Sequence, residues 1–308
     1  MPLNGGCSYR EVVGPAAAGQ SVLAYLANSR RHSSIEQWRQ RVLQGEVELD
    51  GARAEPTKLL RLGQLLVWHR PPWMEEEVPG SYSLIFEDDA VVAVIKPRGL
   101  PTMPGGGFLQ GTLLTLLRAH YPEASPMHRL GRETSGVLLF ARTQQSAASV
   151  AMAWRSHEVV KQYRALGSGV ATWETLDITA RIGPVPHPVL GTIHAASDKG
   201  KTAHSVAQVM ERRAQSTLFR VNITTGRPHQ IRIHLAFAGH PLVGDPLYAA
   251  GGLPLPLEPG LPGDGGYFLH AERLVLAHPV TGRPLELFAP PPPELELNRV
   301  NTTAANRQ

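Results

Sequence analysis

Two short segments near the start of the chain have apolar residues at helical spacing, and each predicts a helix. These predicted helices cover residues 20–27 and 34–44. The second opens on Ser33-Ser34-Ile35-Glu36, which fits a capping box, and Gly45 suits its end. Alternating segments at 47–49 and 65–68 predict strands, and the Asp50-Gly51 pair predicts a hairpin turn. Residues 1–10 are small and polar, which predicts a loose start.

From residue 81 the pattern changes to longer apolar runs, which predict a larger domain around a buried sheet. Runs at 84–86, 91–95, 137–141 and 219–223 predict strands, whereas 113–120, 146–156 and 228–239 predict helices. The stretch 249–266 is rich in Gly and Pro and predicts a loop. We therefore expect a first domain over 10–70, a linker over 71–80, a second domain over 81–290 and a disordered tail over 291–308.

Composition and charge limit the classes of function. The chain has 308 residues, 42% of them hydrophobic, which predicts a folded protein with a sizeable core. A net charge of +4 permits an RNA partner. The single cysteine, Cys7, excludes an intramolecular disulfide and a thiolate metal cluster. No apolar run approaches the roughly 20 residues that span a bilayer, and no signal segment is evident, so a cytoplasmic protein is expected.

One polar segment runs directly into a predicted buried strand and is the first candidate for chemistry. It reads MHRLGRETSGVLLFAR over 127–142. This segment resembles the signature of RluA-type RNA pseudouridine synthases, H-R-L-D-x-x-T-S-G followed by an apolar strand. The residues that match are His128, Arg129, Leu130, Thr134, Ser135 and Gly136. The departure falls at Gly131, where the family has its catalytic Asp.

Further segments resemble the same family in the family's order. They are Lys96-Pro97-Arg98-Gly99-Leu100, Lys161-Gln162-Tyr163-Arg164-Ala165, 199–207, 226–235, 244–248 and 268–279. The resemblance implies an α+β fold, with a mixed, mainly antiparallel central sheet and flanking helices. Residues 10–70 resemble the S-four-like RNA-binding domain that often precedes this fold. The implied activity is isomerisation of uridine to pseudouridine in ribosomal or transfer RNA, which needs no cofactor and no metal.

The resemblance also implies roles for individual side chains. Arg129 would fill the space left by the flipped uridine, Tyr163 would lie against the flipped base, and Arg232 would pair with the catalytic carboxylate. Other side chains are expected to contact RNA, namely His128, Lys96, Arg227 and His229, and in the first domain Arg30, Arg31, Arg39 and Arg41. His229, His234 and His240 lack the spacing of a metal site. Nothing in the sequence indicates oligomerisation, so a monomer is expected.

Gly131 opens two hypotheses. In the first, a displaced acid serves an active enzyme, and Glu133 is the first candidate because it lies two residues away. Asp198 and Asp245 are further candidates, although Asp245 suits a turn better. In the second, the protein binds RNA, for example as a chaperone, and does no chemistry. Without an acid at 131, Arg232 is expected beside a small void. A Glu133 or Asp198 oxygen within roughly 3 Å of Arg232 would favour the enzyme.

Overall fold

The computed structural model describes residues 3–30 and 32–298, which form two compact units. The first unit extends to Glu77 and also includes Pro188–Gly191, and the second begins at Val78. The boundary between residues 77 and 78 falls inside the predicted linker.

The first unit is a four-stranded sheet with two helices. Its elements are β1 (Cys7–Val12), α1 (Val22–Ser29), α2 (Ile35–Leu43), β2 (Val47–Leu49), β3 (Ala52–Arg53) and β4 (Leu65–Arg70), with strand order β1-β4-β2-β3. Both predicted helices are present. The capping box of α2 is formed by Ser34 and Gln37, one residue later than predicted, because the hydroxyl of Ser34 accepts the amide of Gln37. The predicted loose start over residues 1–10 is wrong for residues 7–10, since β1 pairs with β4 along its whole length, and residues 1–2 lie outside the described residues.

The second unit is built on one large sheet. Strands and helices from residue 83 onward are β5 (Ser83–Glu87), β6 (Val91–Lys96), α3 (Leu113–Arg118), β7 (Ser125–Pro126), β8 (Ser135–Ala141), α4 (Gln144–Arg155), β9 (Val160–Ser168), β10 (Thr175–Ile178), β11 (Ile182–His187), β12 (Gly191–Ala196), β13 (Ser205–Arg212), β14 (Ser216–Ile223), α5 (Gln230–Phe237), β15 (Tyr248–Ala249), β16 (Leu253–Pro254), β17 (Leu269–Ala277) and β18 (Pro284–Phe288). The large sheet has the order β10-β13-β14-β9-β17-β8-β6-β5, with β18 beside β17 and β7 beside β8.

The predicted α+β class with a mixed, mainly antiparallel sheet is confirmed. Among the described residues, β8 and β17 form the one parallel strand pair of the large sheet, and its other pairs are antiparallel. No helix within 3–30 and 32–298 combines the length and the apolar character required to cross a membrane.

Gly136 allows the parallel pairing of β8 with β17. Its φ is +114°, and a Cβ there would lie 2.2 Å from the carbonyl oxygen of Ala271. Only a residue without a side chain permits so close an approach of two backbones. Beside it, the Ser135 hydroxyl lies 2.8 Å from Nδ1 of His270, whose Nε2 lies 3.0 Å from the Ala289 carbonyl. Because that carbonyl can only accept, Nε2 carries the proton and Nδ1 accepts from Ser135. These two hydrogen bonds of His270 fix the start of β8, directly after the loop that contains Gly131.

The predicted disordered tail is wrong for residues 291–298. Pro293–Leu295 form a 3₁₀ turn, and Leu295 is buried. Arg164 donates to the Leu295 carbonyl at 3.0 Å, and Asn298 donates its amide to Glu211 at 3.1 Å. The rest of the predicted tail, 299–308, lies outside the described residues.

Candidate active site

A cavity of about 110 Å³ lies around Gly131 in the second unit, and three of the segments that line it carry the predicted site residues. The segments are the loop before β8, the middle of β9 and the start of α5. Predicted site residues that line it are Arg129, Gly131, Tyr163, Arg227, His229 and Arg232. Within 3–30 and 32–298, the side chains lining this cavity include three arginines and no carboxylate. The cavity is therefore suited to an electron-rich ligand such as a nucleotide.

Arg232 lines the Gly131 cavity, as expected, but it is not left without a carboxylate partner. Its guanidinium makes a two-pronged ion pair with Asp245, with Nε–Oδ2 at 2.7 Å and Nη2–Oδ1 at 2.8 Å. Both side chains are almost fully buried. Burial alone would lower the pKa of Arg232, but the hydrogen bonds that it donates to Asp245, together with the electrostatic attraction of Tyr267, Asp245 and Tyr248, outweigh burial and raise that pKa. The guanidinium therefore stays charged beside the cavity.

Asp245 also serves the turn role that its sequence position suggested. Its Oδ1 accepts the backbone amides of Leu247 at 2.9 Å and Tyr248 at 3.2 Å. Both carboxylate oxygens are thus occupied inside the protein, and Asp245 is absent from the cavity wall. Asp245 therefore holds the Arg232 guanidinium in place and balances its charge from outside the cavity.

Glu133 and Asp198, the other candidate acids, do not lie at the Gly131 cavity. Glu133 pairs with Arg98 at 2.9 Å and with Arg132 at 3.3 Å. It lines a separate cavity of about 430 Å³. Asp198 is exposed in the turn after β12 and does not line the Gly131 cavity. Neither acid is therefore placed to act beside Gly131.

Tyr163 reaches the cavity from β9, where its backbone pairs with Val221 of β14 and Ala271 of β17. Burial raises the pKa of Tyr163 to about 12, so the phenol is protonated at neutral pH. It can therefore donate a hydrogen bond or a proton to a ligand, but it is a poor base.

The loop that carries Arg227 is fixed by Gln230, a residue that the sequence did not single out. The side-chain oxygen of Gln230 accepts the amide of Arg227 at 3.0 Å and the hydroxyl of Thr225 at 2.7 Å. Its amide nitrogen donates to the His204 carbonyl at 2.8 Å. Gln230 therefore positions the loop, while Arg129, which also lines the cavity, is exposed.

His229 precedes α5 in a left-handed conformation, with φ of 56°. Its Nδ1 lies 2.8 Å from the Tyr248 hydroxyl, which itself donates to the His194 carbonyl at 2.7 Å. Nδ1 therefore carries the proton, and Nε2 of the neutral ring is an acceptor. Burial and the charge of Arg232 lower the pKa of His229 to about 3.

The other histidines have separate partners. His234 lies between Ser205 Oγ at 2.9 Å and the Ala180 carbonyl at 2.9 Å, and His240 lies 2.9 Å from the Ser168 carbonyl. Across the part of the chain that the structure describes, no group of three or more His, Cys, Asp or Glu side chains is placed to hold a metal ion.

Two residues expected to contact RNA are turned inward. Lys96 is fully buried, and its Nζ donates to the carbonyls of Pro97, Leu100 and Arg132 at 2.7–2.8 Å. Burial lowers its pKa to about 7. His128 accepts the amide of Leu139 at 3.1 Å. Both side chains hold the loop that contains Gly131, and the buried Lys96 is not available to RNA in this structure.

The arginines of the first unit have more partners than the sequence indicated. Arg30 pairs with Glu11 of β1 at 2.6 Å, and Arg39 pairs with Glu36 at 3.4 Å. Arg41 stacks against two tryptophan rings, with its guanidinium carbon 4.8 Å from the centre of Trp38 and 5.1 Å from that of Trp68. Arg31 lies outside the described residues.

Tyr267 is a cavity residue that the sequence did not indicate. It is 3% exposed, and its ring lies over the Arg232 guanidinium at 4.2 Å. Its hydroxyl oxygen would lie 3.2 Å from a Cβ at Gly131. The only signal in the sequence was an aromatic residue at the end of a Gly-rich loop, directly before β17.

We expect the protein to lose stability in mild acid because of His128 and His229. Burial lowers the pKa of His128 to about 3, as for His229, whereas unfolded histidine titrates near 6.5. The unfolded chain therefore binds more protons between these values, and stability that is present above pH 6.5 is lost as pH falls. Each histidine should cost about 2 kcal/mol between pH 7 and pH 5.

Urea unfolding at pH 7 and pH 5 measures this loss. In His229→Gln, the loss of unfolding free energy between pH 7 and pH 5 should be smaller by the contribution of one histidine, about 2 kcal/mol. Equal stability of the parent protein at both pH values would contradict the buried, neutral rings.

The fold is that of the pseudouridylate synthases. The structure of human RNA pseudouridylate synthase domain containing 1 superposes with a TM-score of 0.54, at 24% identity, over 72% of this chain and 89% of that chain. The sequence profile described as RNA pseudouridylate synthase matches residues 90–237.

Whole-length relatives extend this match. An uncharacterised RNA pseudouridine synthase of Synechocystis is 41% identical over 92% of this chain and 98% of its own length. RNA pseudouridine synthase 5 of Arabidopsis thaliana is 35% identical over 96% and 95%. Ribosomal large subunit pseudouridine synthase D of Xanthomonas campestris is 34% identical over 94% and 91%. The chain belongs to the RNA pseudouridine synthase family, as the sequence predicted.

Proposed function

We propose that this protein isomerises uridine to pseudouridine in ribosomal or transfer RNA. The observation that carries the proposal is the cavity around Gly131, where Arg129, Tyr163 and Arg232 meet from three separate segments. One relative is named for the large ribosomal subunit, which supports ribosomal RNA as the first substrate to test.

The reaction breaks the bond from ribose C1′ to uracil N1, turns the base and joins C5 to C1′. No atom is gained or lost, so the reaction consumes no co-substrate. The target uridine must leave its stack, at a cost of a few kcal/mol. Arg129 lies exposed beside the cavity, and the Tyr163 phenol can donate to a carbonyl of the uracil.

Tritium release from RNA labelled at C5 of uracil tests the proposal, because C5 loses its hydrogen when it bonds to ribose. The substrate is total RNA from cells that lack the protein. We expect release with the purified protein and its loss in Arg232→Gln. Mapping of pseudouridine in the product identifies the position. Absence of release from ribosomal and transfer RNA would overturn the proposal.

The second candidate function is RNA binding without chemistry. The observation in its favour is that, in the described residues, no carboxylate lines the cavity. The nearest acid to Arg232 is neither Glu133 nor Asp198 but Asp245, which is buried behind it. Binding of the same RNA without tritium release would establish this alternative.

Arg129→Ala should weaken RNA binding under either function, because an exposed guanidinium at the cavity contacts phosphate or the vacated stack. If it contacts phosphate, the slope of log K against log salt should fall by about 0.7–0.9. Filter binding at several salt concentrations measures both effects. Arg283→Ala, an exposed arginine that does not line the cavity, is the matched control. Equal affinities of the two variants would contradict a role for Arg129.

The first unit has a place in this proposal. Its S-four-like character, suggested by the sequence, would make it the module that positions RNA through phosphate contacts of Arg30, Arg31, Arg39 and Arg41. A monomer that acts on RNA in the cytoplasm completes the proposal, and both points rest on the sequence alone.

A further inference from the structure

We infer that Tyr267 supplies the oxygen that acts on ribose C1′ in place of the missing carboxylate, an inference that rests on the proposed function. The position of the phenol suggests this role. Its hydroxyl oxygen would lie 3.2 Å from a Cβ at Gly131. The oxygens of an aspartate lie two bonds beyond Cβ, so the Tyr267 oxygen takes up space that an aspartate at 131 would use.

The surroundings of Tyr267 favour chemistry at this oxygen. The Arg232 guanidinium carbon lies 4.2 Å from the centre of the ring, and a cation there stabilises negative charge that develops on the phenol. Within 3–30 and 32–298 the hydroxyl makes no hydrogen bond, although the ring is 3% exposed. The oxygen is therefore held in place by packing of the ring and has its lone pairs available to a ligand.

The position of Tyr267 also gives the Arg232 guanidinium a function at the site. The resemblance given above implies that this arginine pairs with a carboxylate at position 131. In this protein Asp245 makes the two-pronged ion pair with Arg232, and the face of the guanidinium packs against the Tyr267 ring. The cation thus supports a phenol where it would otherwise support a carboxylate.

The chemistry balances without a further reactant. The Tyr267 oxygen bonds to C1′ as the C1′–N1 bond breaks, the electron pair passes to N1, and the phenolic proton passes to the uracil. After the base has turned, C5 bonds to C1′, and the electron pair of the C1′–O bond returns to the tyrosine oxygen. That oxygen takes up the proton that the ring releases. Tyrosine nucleophiles at an anomeric carbon are established in sialidases.

Tyr267→Phe tests the inference because it removes one oxygen and keeps the ring over Arg232. With C5-tritiated ribosomal RNA, we expect the single-turnover rate to fall on the order of 10³-fold or more, while the Kd for the same RNA stays within about twofold. Tyr121→Phe is the matched control, since Tyr121 also lies against an arginine, Arg142, and does not line the cavity. That variant should keep the full rate.

A second measurement separates chemistry from structure. With 3-fluorotyrosine at 267, which loses its proton more readily, the pH profile of the single-turnover rate should shift to lower pH. The double variant Tyr267→Phe/Gly131→Asp removes the hydroxyl that would contact the new Cβ, and it should recover rate through the family's carboxylate.

The outcomes distinguish this inference from the proposed function. If the parent protein releases tritium and Tyr267→Phe does so within about threefold of the same rate, Tyr267 is not the reacting group, and the proposed function stands. A loss of rate matched by an equal loss of RNA affinity, or an unshifted pH profile with 3-fluorotyrosine, also overturns the inference. No release by the parent protein overturns both.

Discussion

Asp245→Asn is expected to destabilise the second unit by about 3–5 kcal/mol, because it leaves Arg232 charged and buried without its counter-ion. The asparagine oxygen can still accept hydrogen bonds from the amides of Leu247 and Tyr248, so the substitution removes the negative charge and keeps these hydrogen bonds. Under the proposed function, pseudouridine formation should fall as well, since the guanidinium loses its fixed position. Urea unfolding and tritium release measure the two effects.

Glu174→Gln is the control for this prediction. Glu174 pairs with Arg212 at 2.6 Å in the same unit, but its side chain is 77% exposed. Exposed pairs contribute about 0–1 kcal/mol, so this variant should unfold almost as the parent protein does. Equal destabilisation by the two substitutions would show that burial does not set the strength of the Arg232 pair.

Lys96→Met should cost about 3 kcal/mol or more, because three carbonyls, one buried and two partly buried, lose their donor at once. Methionine has a similar length and no charge, so the volume is nearly kept. The loop that carries Gly131 is tied to Lys96 through the Arg132 carbonyl, and we expect this loop to become mobile. Hydrogen exchange of residues 128–134 would detect the change.

Lys199→Met, at an exposed position of the second unit, is the control for Lys96 and should change stability by less than about 0.5 kcal/mol. If the amides of residues 128–134 remain protected from hydrogen exchange in Lys96→Met, Lys96 does not anchor this loop.

The sequence predicted much of the fold because the elements that define it are local patterns. The apolar run of β8 and the helical spacing of α1 and α2 require no knowledge of distant residues. The first strand was missed since β1 lies at the edge of a small sheet and most of its residues are exposed, which leaves no alternation to detect. The segment 291–298 was missed because one buried residue, Leu295, fixes it.

The site was predicted in part for the same reason. Arg129, Tyr163 and Arg232 belong to motifs and do meet at one cavity. The partner of Arg232 could not be deduced, because resemblance assigned that partner to position 131, where this chain has Gly. Tyr267 is 136 residues from Gly131 in sequence, and only the parallel pairing of β17 with β8 brings the two together.

That parallel pairing has a consequence for how the protein is made. Ser135 bonds to His270, a separation of 135 residues, so Ser135 and Gly136 at the start of β8 have no strand partner on that edge until β17 has been synthesised, whereas β7 pairs with the end of β8. At ribosomal rates this interval lasts roughly 7–27 s. In the later part of this interval β9, which pairs with β17 along Val160–Ala165, is also open to other chains on one side. A nascent chain that stalls between the two strands is therefore a natural client for a chaperone, and truncated products that lack β17 should aggregate.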